Sequence, residues 1–300
     1  MDASFITDEY AQSLEDALRF AQRSSIRAVE LRSIWGSNCA RLTAAQTRHA
    51  RELAVDAGVT ISGLDTFVFK GAWDDVAMRT ESLNLAKQAL ETAQALNARF
   101  IRVFAFWRER APDAQAVADE LRAICCLADP FEVNVLVENG TFSTVGEGGA
   151  LARLLDLIAH RRAAALWDPA NVLNGGWSEP IATGARALGP HIRHVHVKNP
   201  HAGTPGRLGY GPLKGGMIDW PEHLRLLASL GYYGDLSLET HWRTGRALTG
   251  RDALDFPEGE RFSAGGSQPT ASMLVELREL LVNERITPTI GRTVEQGQCV

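Results

Sequence analysis

The chain has 300 residues, of which 45% are hydrophobic, and its formal net charge at pH 7 is -5. This length is enough for one or two domains with a sizeable core, and the acidic balance, without a run of Lys or Arg, argues against a nucleic acid or other polyanion as partner. A small polar molecule suits this charge better. No apolar run approaches the ~20 residues of a membrane span, and the first ten residues have no apolar signal core, so the sequence predicts a cytoplasmic protein that does not contact a membrane.

Short apolar runs alternate along the chain with longer segments of helical period. The strand-like runs are Ala3–Thr7, Arg27–Arg32, Val59–Leu64, Arg99–Ala105, Glu132–Glu138, Ala163–Asp168, Ile192–Lys198 and Asp235–Glu239. The helical segments are 9–24, 43–57, 75–97, 112–128, 146–160, 180–189, 218–230 and 268–284. Eight βα units in order predict an α/β fold, either a (β/α)₈ barrel or a large doubly wound sheet. No GxGxxG follows the first strand, which argues against dinucleotide binding.

No linker rich in Pro, Gly or Ser divides the chain, so we expect a single domain over residues 1–286 and a C-terminal tail over 287–300. Two long loops, 199–216 and 241–266, follow late strands. Barrel enzymes often build substrate lids from loops in these positions.

The alternation of side chains along the strand-like runs distinguishes the two architectures. In the seventh run, Val195 and Val197 share one face, and His194, His196 and Lys198 share the other. Other runs repeat this pattern, with one aliphatic face and one face that becomes polar towards the C-terminal end. A doubly covered parallel sheet should instead have nearly continuous apolar runs, so the pattern favours a TIM barrel with a polar site at its C-terminal mouth.

Four candidate metal ligands lie at the ends of consecutive strands: Glu138, Asp168, His196 and Glu239. The first three are separated by 30 and 28 residues, or about one βα repeat each, so the four should converge on one rim. Three neighbouring buried carboxylates are costly without a cation. This mostly hard ligand set suits one divalent metal ion, Mn²⁺ first, with Mg²⁺, Co²⁺ and Zn²⁺ as alternatives.

Five short strings at strand ends resemble a known family. They are Val29-Glu30-Leu31-Arg32, Leu136-Val137-Glu138-Asn139, Trp167-Asp168-Pro169-Ala170-Asn171, His194-Val195-His196-Val197-Lys198 and Ser237-Leu238-Glu239-Thr240-His241. In this order they resemble the sugar phosphate isomerase/epimerase family, the xylose-isomerase-like TIM barrels. Residues 211–220 resemble the family's Gly-rich loop, and the resemblance extends to about Leu281.

The resemblance implies that Glu138, Asp168, His196 and Glu239 bind the metal. In the ketose 3-epimerase branch, the two glutamates also move protons on opposite faces of the substrate. The chain is therefore expected to be a metal-dependent isomerase or epimerase that acts on a ketose or related sugar through a cis-enediolate, with Glu138 and Glu239 as the acid/base pair. Asn171 stands where relatives often carry a histidine that contacts substrate oxygens, and Asn199 replaces a common acid.

Further polar and aromatic side chains near strand ends are candidates for substrate binding. Those expected to hold substrate oxygens are Arg32, Lys70, Arg102, Asn171, Lys198 and His241. Trp107, and by position Trp35 and Trp242, could stack on a sugar face or pack in the core.

The sequence leaves several alternatives open. The same barrel supports lyases, dehydratases and C-glycoside-cleaving enzymes, as well as a non-catalytic sugar-binding subunit. A related DNA-repair endonuclease would need more clustered histidines and a basic face than this chain of 8 scattered histidines offers. The choice of metal and the phosphorylation of the substrate stay open, and apolar loops are compatible with a homodimer.

Overall fold

The computed structural model describes residues 1–203, 208–245 and 259–286. The predicted tail, 287–300, lies outside these ranges, as does the central part of the predicted 241–266 lid. No helix in the described ranges is long and apolar enough to cross a membrane.

Eight parallel strands form one sheet. They are β1 (Asp2–Phe5), β2 (Ala28–Leu31), β3 (Thr60–Asp65), β4 (Phe100–Val103), β5 (Asn134–Glu138), β6 (Ala163–Trp167), β7 (Ile192–Val197) and β8 (Asp235–Leu238). Their order in the sheet is β1-β8-β7-β6-β5-β4-β3-β2. Ile6, directly after β1, forms a parallel bridge with Glu30 in β2, which joins the two edge strands. The predicted (β/α)₈ barrel is confirmed, and the doubly wound alternative is wrong.

Eight helices follow the strands. They are α1 (Leu14–Arg23), α2 (Ala44–Ala57), α3 (Val76–Leu96), α4 (Ala114–Ala128), α5 (Gly148–Ile158), α6 (Ile181–Leu188), α7 (Trp220–Ser229) and α8 (Ser267–Asn283). Shorter helical turns cover Thr7–Tyr10, Cys39–Arg41, Asp129–Phe131, Pro169–Asn174, Gly189–His191 and Glu260–Ser263. Two hairpins add the strand pairs Ser33–Ile34 with Ser37–Asn38, and Asn199–Ala202 with Leu208–Gly211.

The first predicted helix, 9–24, is wrong in one respect, because the structure divides it into two. Ala11 is extended, with φ at −160°. The Ser13 side chain then accepts a hydrogen bond from the Asp16 N–H and starts α1 as its N-cap. The turn before it keeps Asp8 and Glu9 at the barrel mouth, where both are fully buried.

The alternation along the strands separates two apolar clusters. Val135 and Val137 of β5 belong to the large cluster shared by the sheet and the outer helices. Leu136 belongs to a small cluster with residues of β4 and β6, which fills the barrel interior. Phe100 in that cluster needs the glycine opposite it, because a Cβ at Gly63 would lie 2.1 Å from the ring. Towards the C-terminal ends of the strands, beyond this small cluster, the inward-facing side chains become polar.

Candidate metal and substrate site

The four predicted ligands meet at the C-terminal mouth of the barrel. Glu138 is the last residue of β5, His196 lies in β7, and Asp168 and Glu239 directly follow β6 and β8. All four are buried, and each offers one ligand atom within 4.8 Å of the others. The convergence expected from strand register is therefore present in the fold.

The His196 ring has two different environments. Nε2 lies 3.3 Å from Glu30 Oε1, and Glu30 Oε2 lies 2.9 Å from His194 Nε2. Nδ1 points the other way, 3.5 Å from Glu239 Oε2 and 3.9 Å from Glu138 Oε1. This buried Nδ1 has no hydrogen-bond partner among the described residues. An imidazole nitrogen that faces two carboxylates without a hydrogen bond is in an environment that a cation would complete.

A second acidic residue, Asp65 at the end of β3, lies beneath His196. It is fully buried, with Oδ2 at 3.8 Å from His196 Nε2. Burial and the nearby Glu30 raise the pKa of Asp65 well above its usual value, although Arg102 opposes this. Burial also raises the pKa of Glu30, but His194 and His196 outweigh it and hold that pKa well below the usual range. Glu30 is thus the ionised partner of the two imidazoles.

Lys198 contacts two of the candidate ligands. Its Nζ lies 2.6 Å from Asp168 Oδ2 and also donates to Glu239 Oε2. The other oxygen of Asp168 accepts a hydrogen bond of 2.9 Å from Ala170 N, as the N-cap of the turn that follows. Burial raises the pKa of Asp168 to about 6, against the opposing effect of Lys198.

Glu138 is held by a cation and an amide. Arg102 donates to Glu138 Oε2, and Asn171 Nδ2 donates to Oε1 at 2.9 Å. Thr141 Oγ1 in turn donates to Asn171 Oδ1 at 3.0 Å. Burial raises the pKa of Glu138, but Arg102 and His196 outweigh it and lower the net pKa. Asn171 therefore orients a candidate acid/base residue, in addition to lining the pocket.

Glu239 is anchored through Arg32, whose Nη1 lies 2.6 Å from Glu239 Oε1. Arg32 also binds Asp8 through two nitrogens and Glu9 at 2.6 Å, and its side chain is only 1% exposed. Burial raises the pKa of Glu239, but Lys198 and His241 outweigh it and hold the pKa well below its usual value. Asp8 and Glu9 were not predicted as site residues, because neither lies on a strand.

A pocket of about 570 Å³, measured with its open mouth, lies over these carboxylates. All seven predicted substrate-binding residues line it: Arg32, Lys70, Arg102, Trp107, Asn171, Lys198 and His241. Trp35 does not, because its ring stacks on His49 at 5.6 Å and its Nε1 donates to Glu15. Trp242 is half-buried and packs against the main apolar cluster.

Lys70 lies in the pocket wall between two aromatic rings. Its Nζ is 5.4 Å from the centre of the Phe67 ring and 5.0 Å from that of Phe104. Burial, assisted by the charge of Arg102, lowers the pKa of Lys70 to about 7. This amine can therefore be neutral at the pH at which the other pocket cations are charged.

Several pocket residues were missed in the sequence. The aromatic wall comprises Phe67, Phe104, Phe106, Trp107 and Phe142, of which only Trp107 was selected. Tyr210, from the hairpin after β7, does not line the pocket but lies against pocket residue His241, with ring centres 5.2 Å apart, and accepts a 2.6 Å hydrogen bond from Asn174. These residues lie in or beside loops, where no periodicity reports the direction of a side chain.

The chain belongs to the xylose isomerase-like TIM barrel family, whose sequence profile matches residues 18–259. The barrel and the converging strand ends described above agree with this membership. No curated protein sequence matches the chain significantly.

Solved structures share the fold at low sequence identity. D-psicose 3-epimerase from Clostridium cellulolyticum H10, solved with D-tagatose, is 17% identical, with a TM-score of 0.69 over 94% of this chain and 99% of its own. The probable 3-DHS dehydratase AsbF from Bacillus anthracis is 19% identical, with a TM-score of 0.67 over 81% and 94%. The IOLI protein, solved with a bound zinc atom, is 14% identical, with a TM-score of 0.73 over 95% and 99%.

Proposed function

We propose that this chain is a divalent-metal-dependent isomerase or epimerase of a ketose or related sugar, with Glu138 and Glu239 as the acid/base pair. The observation that carries the proposal is the convergence of four buried ligand atoms within 4.8 Å, two of them from the glutamates that also line the pocket. The solved structures of similar fold include a sugar epimerase and a protein with bound zinc, which supports the same reading.

The donor set fits a divalent cation. Three carboxylates and one imidazole form a mostly oxygen set, and His196 Nδ1 is buried without a hydrogen-bond partner in the described part of the chain. Glu138, Asp168, His196 and Glu239 would hold the ion. We favour Mn²⁺ because oxygen ligands predominate, with Mg²⁺, Co²⁺ or Zn²⁺ as alternatives. When bound, it would polarise the substrate carbonyl and make the neighbouring C–H more acidic.

The protein's own groups then move the proton. Glu138 on β5 and Glu239 after β8 have β6 and β7 between them in the barrel, so they reach the pocket from different sides. Arg102 and Arg32 favour the ionised form of these glutamates, as the one that acts as base requires. That carboxylate removes the proton next to the carbonyl, leaving an enediolate. The other glutamate, which enters the turnover protonated, gives its proton to the opposite face in epimerisation, and in isomerisation the first glutamate returns the proton it took to the neighbouring carbon.

Metal content tests the ligand assignment. The protein is purified without chelator, dialysed against Mn²⁺ and washed, and bound metal is measured by mass spectrometry for wild type, His196→Ala and Glu239→Gln. We expect about one equivalent in wild type and at least a tenfold loss in both variants. His49→Ala and Glu81→Gln, which replace exposed residues, are matched controls. Unchanged metal content in both site variants would overturn the assignment.

Hydrogen exchange tests the chemistry. The metal-loaded protein is incubated in D₂O with free ketoses, ketose phosphates and keto sugars, and the C–H signals next to the carbonyl are followed by NMR. We expect deuterium to enter at one carbon, with a new epimer or isomer of the same composition. A product that has lost water or another group would instead favour a lyase on the same barrel. No exchange with any member of the panel counts against the enediolate route.

A further inference from the structure

The pocket has two chemically different parts. Its floor carries the charged groups of the proposed acid/base chemistry. Its wall, formed by the loops after β3, β4 and β5, carries Phe67, Phe104, Phe106, Trp107 and Phe142. The side chains of this wall differ in exposure, since Phe106 is fully buried and Phe142 is 41% exposed.

The two loops at the outer end of this wall are fixed to each other. Trp107 and Ser143 form an antiparallel bridge. Arg108 N donates to Phe142 O at 2.8 Å, and Thr144 N donates to Phe106 O at 3.0 Å. These bonds hold Trp107 and Phe142 at the pocket before any ligand arrives, so ordering them costs little on binding.

Two further contacts, one on each side, hold the loops that carry Trp107 and Phe142. Trp107 N donates to Gly71 O in the loop after β3 at 2.8 Å. On the other side, the loop after β5 approaches Phe104 closely, because a Cβ at Gly140 would lie only 3.2 Å from that ring. The aromatic wall is therefore continuous across three loops and fixed in position.

The floor already supplies hydrogen-bonding groups for a sugar. With a sugar over the carboxylates of the floor, the rings of Trp107 and Phe142 at the outer end of the wall are left for a neighbouring group of the ligand. Exposed Phe142 at the rim has an unfavourable contact with water that an apolar ligand group would remove.

We propose that the substrate is a sugar derivative that carries an aromatic or similarly flat apolar substituent, which binds against Trp107 and Phe142 while the sugar lies over the carboxylates. This inference rests on the proposed function for the position of the sugar. It assigns to the site a class of aryl-substituted sugars that also carry the carbonyl needed by the proposed function, in preference to free monosaccharides. The loop bridge makes the rim a specificity-determining element.

Equilibrium binding of matched ligands tests this inference. The probes are phenyl and methyl β-glycosides of glucose, galactose and xylose, titrated by calorimetry into the Mn²⁺-dialysed protein. For at least one sugar we expect the phenyl glycoside to bind at least tenfold more tightly than its methyl partner. Trp107→Ala and Phe142→Ser should each reduce that ratio at least threefold without weakening the methyl glycoside to the same degree. Tyr233→Ser is the control, because Tyr233 is also 41% exposed and does not line the pocket.

The outcomes are separable from those of the proposed function. No phenyl preference for any pair, undetectable binding included, overturns the inference. A phenyl preference that persists in both Trp107→Ala and Phe142→Ser would also overturn the inference. Equal weakening of the phenyl and methyl glycosides would overturn it too, because the rings would then contact the sugar itself. A change of oligomeric state in Phe142→Ser with an unchanged ratio would also overturn it. Binding is measured without turnover, so a protein that fails the D₂O test can still bind the phenyl glycoside more tightly. Likewise, a protein that passes the D₂O test can show no phenyl preference.

Discussion

Glu30 and His196 form a buried pair across the barrel, with Glu30 Oε1 3.3 Å from His196 Nε2. A carboxylate is an acceptor only, so Nε2 carries a hydrogen, and Nδ1 is the nitrogen left for a metal ion, which would displace any proton there. Nδ1 is the nitrogen that faces Glu138 and Glu239. Glu30 thus selects the tautomer and the ring orientation that a metal ligand needs.

Replacement of Glu30 by Gln should therefore weaken metal binding. The Gln amide can accept from one imidazole but presents an N–H₂ to the other, and the ring orientation is no longer fixed. We expect a loss of roughly 10- to 100-fold in Mn²⁺ affinity, measured by calorimetry. His194→Gln removes the other imidazole on Glu30 and leaves His196 in place, so it should change affinity much less. Equal affinity in wild type and Glu30→Gln would show that His196 is held by other contacts.

The strands allowed the convergence of the four candidate ligands to be predicted, because alternation and repeat length determine which strand ends meet. Glu138, Asp168, His196 and Glu239 follow from this register alone. Glu30 also falls on the inward face of its strand, although nothing in the pattern shows which inward carboxylate lies under the histidine. That depends on β2 and β7 lying across the barrel from each other, which emerges only when the sheet closes.

The loop residues could not be predicted in the same way. Phe142 reaches the pocket through bonds between loops, such as that from Arg108 N to Phe142 O, and Tyr210 reaches His241 through the hairpin after β7. Glu9 reaches Arg32 because the helical turn Thr7–Tyr10 ends at Ala11, before Ser13 begins the next helix. These contacts are set by tertiary structure, and local sequence carries no periodic signal for them.

Lys198 pairs with Asp168 and Glu239, so we expect it to compete with the proposed metal ion for these two carboxylates. Lys198→Met keeps the length of the side chain and removes its charge, so the two carboxylates lose a cation that lies within ion-pair distance. In chelator we expect the free energy of unfolding to fall by about 3 kcal/mol, as for other broken buried pairs. With Mn²⁺ we expect roughly tenfold tighter binding, because no ammonium must be displaced. Lys198→Arg, which keeps the charge, is the control, and weaker binding in the Met variant would contradict the competition.

The Lys70 amine should react at unusually low pH. Its pKa is lowered to about 7, first by burial and then by Arg102, so much of it is neutral at pH 7.5. Acetylation by a limiting reagent, mapped by mass spectrometry between pH 6 and 10, should show a rate at Lys70 that rises through about pH 7 and then levels off. The exposed Lys87 on α3 provides the comparison within the same molecule. A rate at Lys70 that continues to rise to pH 10 would contradict the prediction.

His223 should make stability fall in mild acid. Its ring is 4% exposed, and Trp167 Nε1 donates to its Nε2 at 3.1 Å, which requires the neutral form. Burial lowers the pKa of His223 from 6.5 to about 4. Between these values the unfolded chain binds a proton that the folded protein does not, so this contribution is complete above about pH 6.5 and is lost as the pH falls towards 4. The free energy involved is on the order of 3 kcal/mol.

Urea unfolding in chelator at pH 7.5, 6 and 5 measures this loss, and His223→Gln is the matched variant. Gln can still accept from the Trp167 indole but does not titrate, so its stability should decline less between pH 7.5 and 5 than that of wild type. Other groups titrate in both proteins, and their contribution cancels in the difference between the two curves. If the unfolding free energies of the two proteins decline in parallel between pH 7.5 and 5, His223 is already protonated in the folded protein at pH 5. That result would contradict the prediction.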